Sequence, residues 1–435
     1  MTRLSCRDRL EHALFRIAEP EGEGARACLT VYSAAARAAA DAADARAANG
    51  ILLGPLDGAI VSIKDLFDVA GEPTRAGSKV LADEALPAKS DAAIVRRLRG
   101  GGAVIGAKTN MSEFAFTAVG VNPHYGTPAN PHDRARVPGG SSSGAAVAVA
   151  DGMCEIAIGS DTGGSVRMPA ALCGVVGFKP SRQRVSTEGA FPLSYTFDSI
   201  GPLARTVAAC AKADAVMAGE ELSDVHLAPS APAGLRFGIA QGLPLEGLDD
   251  TVAAAFAAAI GRLDSVGARL THETLPLLDD MIAVDAKGGI IAPEACSIHR
   301  DRIARRGAEI DANVRARIER GCAVSAADYV AMMHDRAALV RAMDVALASV
   351  DALVMPTTPI VAPKIAEVMD SKLFVARNNA LRRNTVIVNF FDLCAISLPL
   401  PAQLPVGLML IARNGHDRAL LRIAAAVEKA VSGEP

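Results

Sequence analysis

Short apolar runs alternate with helical patterns along this chain. Runs of this kind occur at 58–63, 103–108, 155–160 and 175–179. Apolar runs of this length are typical of buried strands. A helical pattern at 90–99 separates two of them, and Ser90 and Asp91 are expected to cap that helix. Strands alternating with helices predict an α/β sheet whose functional loops lie at the ends of strands.

The remaining pattern extends this alternation toward both ends of the chain. Residues 1–49 are rich in alanine and arginine and predict two helices on the outside of the domain. Further strands are predicted at 235–240, 351–355, 394–400 and 405–411, and further helices at 144–150, 206–218, 250–266 and 417–431. Residues 277–350 carry only helical signals, so we expect them to form a cap-like helical block over a pocket.

Composition and charge argue against several classes of partner. Of the 435 residues, 50% are hydrophobic, which is enough for a large core. A net charge of -3 without a basic block argues against nucleic acid or an anionic membrane surface as the main partner. No apolar stretch reaches the roughly 18 residues of a membrane span, and the first ten residues carry charges rather than an apolar run. We therefore expect a cytoplasmic protein without a signal peptide.

The cysteines point to the same compartment. All eight are scattered along the chain, and no two of them have a Cys-x-x-Cys spacing. This distribution is typical of buried thiols in a reducing environment. The sequence therefore predicts neither a disulfide framework nor a zinc site.

Two clusters of glycine and serine are too dense to be ordinary linkers. The first reads Gly-Gly-Ser-Ser-Ser-Gly over 139–144, and the second reads Gly-Ser-Asp-Thr-Gly-Gly-Ser-Val-Arg-Met-Pro over 159–169. Glycine lets the backbone approach a ligand closely, while a serine hydroxyl can act as nucleophile, proton relay or hydrogen-bond partner. Each cluster alone would usually be a loop, and Lys64 alone would usually be a solvated strand end. The combination of both clusters with Lys64 indicates a catalytic site.

The three segments together resemble the amidase signature family, serine hydrolases that use Ser-Ser-Lys in place of Ser-His-Asp. Both serine motifs and the lysine motif Val-Ser-Ile-Lys-Asp at 61–65 occur in the family's order. Residues 355–359 and 404–408 also match family landmarks, so the resemblance covers most of the chain from about residue 50. It implies an amidase that acts on linear amide C–N bonds and needs no cofactor or metal.

The family also implies one domain, although chain length by itself suggests two or three. We expect a single α/β/α domain over 1–435, with a large mixed, mostly parallel central sheet flanked by helices. Within it, 1–49 would be the amino-terminal helices, 50–210 the catalytic core with the lysine and both serine motifs, and 277–350 the helical block.

The resemblance assigns a catalytic role to each matched side chain. Ser165 would be the nucleophile that forms an acyl-enzyme, Ser141 would relay its proton, and Lys64 would be the neutral base. The oxyanion hole would be made by backbone N–H groups of three consecutive residues, Thr162, Gly163 and Gly164. Supporting roles fall to Ser142, Asp161 and Arg167. For Arg167 we favour a contact that holds the loop over a contact with an acidic substrate.

Lysine can act as this base only when it is uncharged. Its ordinary pKa is about 10.4, so a value of about 7.5 requires roughly 4 kcal/mol in favour of the neutral form. Burial at the end of the 58–63 strand would supply this, and Asp65 should point away because adjacent strand residues face opposite sides. The resemblance also implies a cis peptide bond between Gly140 and Ser141.

The substrate cannot be identified from the sequence. In the family, the loop after the second serine motif lines the acyl pocket, which makes Phe191 and Tyr195 candidates here. Three arginines, Arg377, Arg382 and Arg383, could attract a carboxylate, although a solvated face fits them better. Two positions depart from the family pattern: Ser143 replaces the usual glycine, and Met409 replaces a common glutamine, which bears on the polarity of the pocket.

Several alternatives compete with this assignment. Residues 140–144 satisfy the Gly-x-Ser-x-Gly elbow with Ser142 as nucleophile, but the segment before them is loop-like and no histidine partner is recognisable. Residues 101–109 nearly fit a phosphate-binding loop, but they lack the Gly-Lys dipeptide.

The main alternative function is the glutaminase component of a tRNA-dependent amidotransferase. This component needs partner chains, and it is the one case in which we expect contact with nucleic acid. A non-catalytic binding module is a remote alternative. The expected partner is a small-molecule amide, and a homodimer is left open.

Overall fold

The computed structural model describes residues 4–220 and 231–432. The expectation that the amino terminus is not a signal peptide concerns the first ten residues. Of these, residues 1–3 lie outside the described range. Within the described residues, eleven strands form one sheet. Helices cover both of its faces, as the α/β pattern predicted.

The amino-terminal segment contains the two predicted helices, together with a short helix and a strand that were not predicted. Its elements are α1 (Cys6–Ala18), α2 (Gly24–Ala27), β1 (Cys28–Val31) and α3 (Ser33–Ala48), of which α1 and α3 are the predicted helices. Strand β1 pairs antiparallel with residues 107–109, at one edge of the sheet. It was missed because four residues are too few to show an alternating pattern.

The next part of the chain carries both serine motifs. Its elements are β2 (Ile60–Lys64), α4 (Lys79–Glu84), α5 (Ala93–Gly100), β3 (Val104–Thr109), α6 (Ser143–Ala150), β4 (Ile156–Ser160), α7 (Arg167–Cys173), β5 (Val176–Lys179), β6 (Ile200–Ala204) and α8 (Val207–Ala218). The strands predicted at 58–63, 103–108, 155–160 and 175–179 are confirmed. The predicted cap of α5 is wrong: Ala92 stands at its N-cap, and Asp91 instead accepts a hydrogen bond from the Ala70 N–H.

The last part of the chain contains the helical block. Its elements are β7 (Arg236–Ala240), α9 (Asp250–Ser265), β8 (Arg269–Glu273), α10 (Leu277–Asp285), α11 (Ile291–Arg306), α12 (Ala312–Cys322), α13 (Ala326–Ala346), β9 (Ala352–Pro356), α14 (Ile365–Val368), α15 (Ser371–Arg382), α16 (Thr385–Phe390), β10 (Cys394–Leu400), β11 (Val406–Ala412) and α17 (Asp417–Val431). The wholly helical character predicted for 277–350 is confirmed.

The sheet is mixed, but it is not mostly parallel. Its order is β1-β3-β2-β4-β6-β5-β10-β11-β9-β7-β8. Parallel pairs join β2 to β3 and β4 on one side and β7 to β8 and β9 on the other. Every pair from β4 through β9 is antiparallel. The prediction failed here because no helix lies between β5 and β6 or between β10 and β11, and a parallel pair needs such a crossover.

The centre of the sheet is buried on both faces, so two layers of core are built on the same strands. Along β11, Leu408 and Leu410 join one apolar cluster, while Met409 and Ile411 join the cluster on the opposite face. This follows from the alternation of side chains along a strand. Helix α17 covers the first cluster with Leu420 and other apolar residues.

Two of the cysteines form a disulfide bond, which contradicts the expectation of thiols alone. Cys296 of α11 is bonded to Cys322 at the end of α12, while the other six cysteines are free and buried. The pair lies 26 residues apart in sequence, and only the antiparallel arrangement of the two helices brings it together. None of the described helices is both long and apolar enough to cross a membrane.

Candidate active site

Lys64 lies at the end of β2, a strand whose five residues are all buried. Its Nζ lies 2.8 Å from Ser141 Oγ and 2.8 Å from Ser160 Oγ. Burial lowers the pKa of Lys64 to about 7, while the negative charges of Asp198 and Asp161 act in the opposite direction. Asp65 is directed elsewhere, since its carboxylate accepts from the Gly77 N–H and from Arg75. The amine is therefore held where the neutral form is accessible near neutral pH.

Ser141 lies in the loop before α6, and neighbouring backbone fixes it there. The Gly140–Ser141 peptide bond is cis, as the resemblance implied. The Gly140 N–H donates to the carbonyl of Ala118 at 2.7 Å, and the Ser141 carbonyl accepts from the Ser112 N–H at 3.0 Å. A side chain at 140 would meet the backbone of Gly120 at 2.7 Å, so the sequence needs glycine at this position.

Ser165 lies beside this pair without a hydrogen bond to it. Its backbone carbonyl accepts from the Ser142 N–H at 3.2 Å, and Ser142 Oγ donates to the Ser160 carbonyl at 3.3 Å. The Ser165 side chain borders a small cavity together with Thr162 and Gly163. The structure thus joins Lys64 to Ser141 directly and places Ser165 next to them through backbone contacts, while Ser142 links the two serine motifs.

The loop between β4 and α7 is held by a fully buried ion pair. Arg167 Nη2 lies 2.8 Å from Asp161 Oδ1, and it also donates to Asn389 Oδ1 at 2.7 Å. Burial alone would raise the pKa of Asp161, but the Arg167 charge and hydrogen bonds hold it well below its usual range. The contacts of Arg167 agree with the loop-holding role and not with a contact to substrate.

Met409 takes part in the same arrangement. Its sulfur accepts from Arg167 Nη1 at 3.3 Å, and the residue is fully buried on the sheet beneath the loop. The expectation that this position sets the polarity of the pocket is therefore wrong. Its side chain contacts the buried face of Arg167, away from the cavity at Ser165.

The backbone donors of this loop differ from the expected set at one position. The N–H of Gly164 donates to Asp161 Oδ1 at 2.8 Å, so it is already engaged. Among the described residues, no acceptor pairs with the N–H groups of Thr162, Gly163 and Ser165. Gly164 is needed for another reason, because its φ is 120° and a Cβ there would lie 2.1 Å from Thr385 Oγ1. Sequence reasoning assigned Gly164 to the oxyanion hole, but its N–H is engaged by Asp161, whereas the N–H groups of Thr162 and Gly163 are not engaged.

Two further polar residues near Lys64 were not predicted. Ser160, the last residue of β4, accepts a hydrogen bond from the Lys64 amine. Asp198 accepts from Thr162 Oγ1 at 2.6 Å and from the Leu193 N–H at 2.9 Å. Burial raises the pKa of Asp198 to about 6, although these hydrogen bonds act in the opposite direction. For Ser160, the signal in the sequence was its position at a strand end inside the second serine motif.

The two candidate pocket residues lie at a neighbouring cavity. Phe191 and Tyr195 border a cavity of about 280 Å³ that reaches Ser160, whereas Ser165 borders a different one. Tyr195 is 69% exposed. From the 187–198 loop, Leu193 reaches the cavity at Ser165. The loop is therefore at the site, but through a residue that the sequence did not single out.

Residues of the helical block border the cavity at Ser165. Ile291 of α11 and Arg317 of α12 line it, together with Arg382. An adjoining apolar cavity of about 320 Å³ shares Thr162, Ile291 and Arg382 with it. Of the other two candidate arginines, Arg383 borders this larger cavity and Arg377 pairs with Glu367 on the surface. Among residues 4–220 and 231–432, no three His, Cys, Asp or Glu side chains are grouped to hold a metal ion.

Comparison with known proteins identifies the family of the chain. A family model described as Amidase matches residues 10–421. The chain is 37% identical to 2-amino-5-chloromuconic acid deaminase of Comamonas testosteroni, covering 91% of this chain and 86% of that protein. It is 36% identical to the A component of the glutamyl-tRNA(Gln) amidotransferase of Symbiobacterium thermophilum, covering 98% of this chain and 93% of that protein.

A solved structure agrees with these relatives. A crystal structure of an amidase superposes with a TM-score of 0.88 at 34% identity, covering 99% of this chain and 97% of that one. The similarity covers the whole α/β domain of this chain, including the mixed sheet. The chain belongs to the amidase signature family, and it is an enzyme that acts on amide C–N bonds.

Proposed function

We propose that this enzyme hydrolyses a small-molecule carboxamide to a carboxylate and ammonia through an acyl-enzyme on Ser165. The observation that carries the proposal is the contact between Lys64 Nζ and Ser141 Oγ, made by an amine whose pKa burial lowers to about 7. A neutral amine next to a hydroxyl can take its proton. No histidine is needed for this route.

Ser160 supports the direction of that proton transfer. A neutral amine has two N–H bonds and one lone pair. If one N–H donates to Ser160 Oγ, the lone pair can face Ser141 Oγ, since both oxygens lie 2.8 Å from Nζ. Ser160 is then a positioning residue for the base, and it makes no contact with substrate in this account.

The first half-reaction follows from these positions. Ser165 Oγ attacks the amide carbonyl and gives its proton to Ser141, which passes its own proton to Lys64. Negative charge on the carbonyl oxygen is stabilised by the unengaged N–H groups of Thr162 and Gly163. The C–N bond then breaks as a proton returns to nitrogen through Ser141, and ammonia leaves. Water repeats the sequence on the ester and releases the acid.

The missing hydrogen bond between Ser141 and Ser165 is compatible with this route. Catalytic hydrogen bonds are often long or poorly aligned before substrate binds and tighten in the complex. Rotation about the side-chain bond of Ser165 would redirect its hydroxyl, while the backbone of Ser165 stays tied to Ser142.

The test is ammonia release from a panel of aliphatic, aryl and dicarboxylic amides. Ser165→Ala, Ser141→Ala and Lys64→Met should each reduce turnover by several orders of magnitude, because the three act as a unit. Ser143→Ala is the matched control, since the Ser143 hydroxyl is buried but forms no hydrogen bond in the described structure. Intact turnover in Ser165→Ala would rule out the mechanism.

A second candidate is the glutaminase component of a tRNA-dependent amidotransferase. The relative from Symbiobacterium thermophilum favours it, since the similarity extends over 98% of this chain. Such a component would need partner chains and glutamine. Ammonia release from small amides by the purified chain alone, in the absence of glutamine, would favour the first proposal.

A further inference from the structure

The guanidinium of Arg317 has no anionic partner among the described residues. It borders the cavity at Ser165 and lies over the Phe116 ring, 4.3 Å from its centroid. Within residues 4–220 and 231–432, no side chain or carbonyl accepts a hydrogen bond from it and no carboxylate forms an ion pair with it. Phe116 holds the planar group in place but supplies no counter-charge.

Several other half-buried or buried arginines among the described residues pair with a carboxylate. Arg336 pairs with Asp392, Arg184 with Asp214, and Arg167 with Asp161. A cation removed from water is costly unless an anion or several acceptors compensate for the loss of hydration. Arg317 differs from these three paired arginines, and it borders the cavity at Ser165.

The charges around Arg317 add to this imbalance. Arg382 borders the same cavity, and Arg320 borders an adjoining cavity of about 270 Å³ that Arg317 also lines. Burial and the charges of Arg382 and Arg320 lower the pKa of Arg317, and Asp285 opposes them only weakly. Asp285 faces Arg382 at 3.9 Å with 60% of its side chain exposed, so it compensates little of the positive charge.

We propose that Arg317, together with Arg382, binds a carboxylate on the acyl portion of the substrate, so that the substrate is the monoamide of a short dicarboxylic acid. This rests on the proposed function. The planar, forked guanidinium matches a carboxylate in two parallel hydrogen bonds. The carboxylate belongs to the acyl side because the leaving group is ammonia. The acid is expected to have a short carbon chain, because Ser165 and both arginines border one small cavity.

The test compares acids with their neutral isosteres. The substrates are malonamate, succinamate and glutaramate, each measured against the corresponding diamide. Wild-type kcat/KM should favour at least one acid by about tenfold or more, the usual effect of charge-assisted hydrogen bonds. Arg317→Gln should remove most of that preference, and Arg317→Lys should restore part of it. Glutamine, which is glutaramate with an added ammonium group, is included to test the alternative that the protein is an amidotransferase component.

A matched control lies on the same helix. Arg315→Gln removes a guanidinium that pairs with Glu319 at 3.6 Å and borders neither the cavity at Ser165 nor the two that adjoin it. The acid preference should be unchanged in this variant. Melting temperatures of all the variants show whether a loss reflects unfolding.

Binding separates failure of the inference from failure of the proposed function. Titration of the same acids and diamides into Ser165→Ala by calorimetry does not depend on turnover. Tighter binding of an acid, lost in the Ser165→Ala, Arg317→Gln double variant, supports the carboxylate site even if no amide is hydrolysed. Equal affinity for every acid and its diamide, or a preference that survives Arg317→Gln, would overturn it.

Discussion

At the scale of single residues, the site depends on the surroundings of one amine. The sequence identified Lys64, Ser141 and Ser165 because three motifs occur together in one order. It could not identify Ser160 or Asp198 as neighbours of that amine, because their contacts depend on where β4 and the 187–198 loop end in space. Motif spacing therefore predicted the candidate reacting groups and not the residues that orient them.

The pKa of Lys64 leads to a pH dependence with a definite sign. In the proposed mechanism Lys64 is active when neutral, and burial places its pKa at about 7. We expect kcat/KM to rise with pH through about 7 and to level off above it. Because the charge of Asp198 raises the pKa of Lys64, Asp198→Asn should move the midpoint to lower pH. A profile that is flat between about pH 6 and 9 would contradict the assignment of a neutral base.

Adjacent glycines in the oxyanion loop should respond differently to alanine. In Gly164→Ala, the new Cβ would lie 2.1 Å from Thr385 Oγ1 at a φ of 120°, so the loop must shift. We expect a loss of about 10²-fold or more in kcat, as for a misplaced oxyanion donor. Gly163→Ala is the control, because its Cβ would meet only Val386 Cγ1 at 3.4 Å. Equal losses in the two variants would argue against different roles for the two glycines.

At the scale of elements, the strand that ends at Ser160 and the helix that begins at Arg167 hold Ser165, the proposed nucleophile, between them. Sequence patterns predicted β4 and missed α7, because 167–169 were assigned to the second serine motif. Strand β6 was missed as well, although it pairs with both β4 and β5. Both elements take their conformation from packing on the sheet, which local patterns do not report.

The buried ion pair between this strand and helix should dominate the local stability. Arg167→Met would leave Asp161 charged and without its counter-ion, and we expect a loss of about 3–5 kcal/mol in the free energy of unfolding. Arg96→Met, which removes an exposed pair with Glu188, should cost less than about 1 kcal/mol. Chemical denaturation measures both. Similar midpoints for the two variants would mean that the buried pair does not hold the loop.

At the scale of the whole molecule, the sequence predicted the class of fold better than its topology. Alternating strands and helices indicated a mixed sheet covered by helices, which is confirmed. The antiparallel centre was not predicted, although the strands predicted at 394–400 and 405–411 leave no room between them for the crossover that a parallel pair needs. The helical block was predicted from its helical signals, and the residues that it brings to the cavity were not predicted.

The disulfide between α11 and α12 opposes the cytoplasmic expectation, since such bonds are rare in reducing compartments. A count of reactive thiols on denatured, unreduced protein shows whether Cys296 and Cys322 are bonded or free. The chain has eight cysteines, of which two are bonded, so six thiols should react. Reduction before denaturation should give eight. A count of eight without reductant would show that Cys296 and Cys322 are thiols in the isolated protein.

The central claim is that the acyl group passes through Ser165. Protein quenched with acid during turnover of its best amide should carry one acyl group, located on Ser165 by peptide mass spectrometry. The adduct should be absent from Ser165→Ala and scarce in Lys64→Met, in which the nucleophile is not activated. An adduct on another residue, or steady ammonia release by Ser165→Ala, would contradict the account.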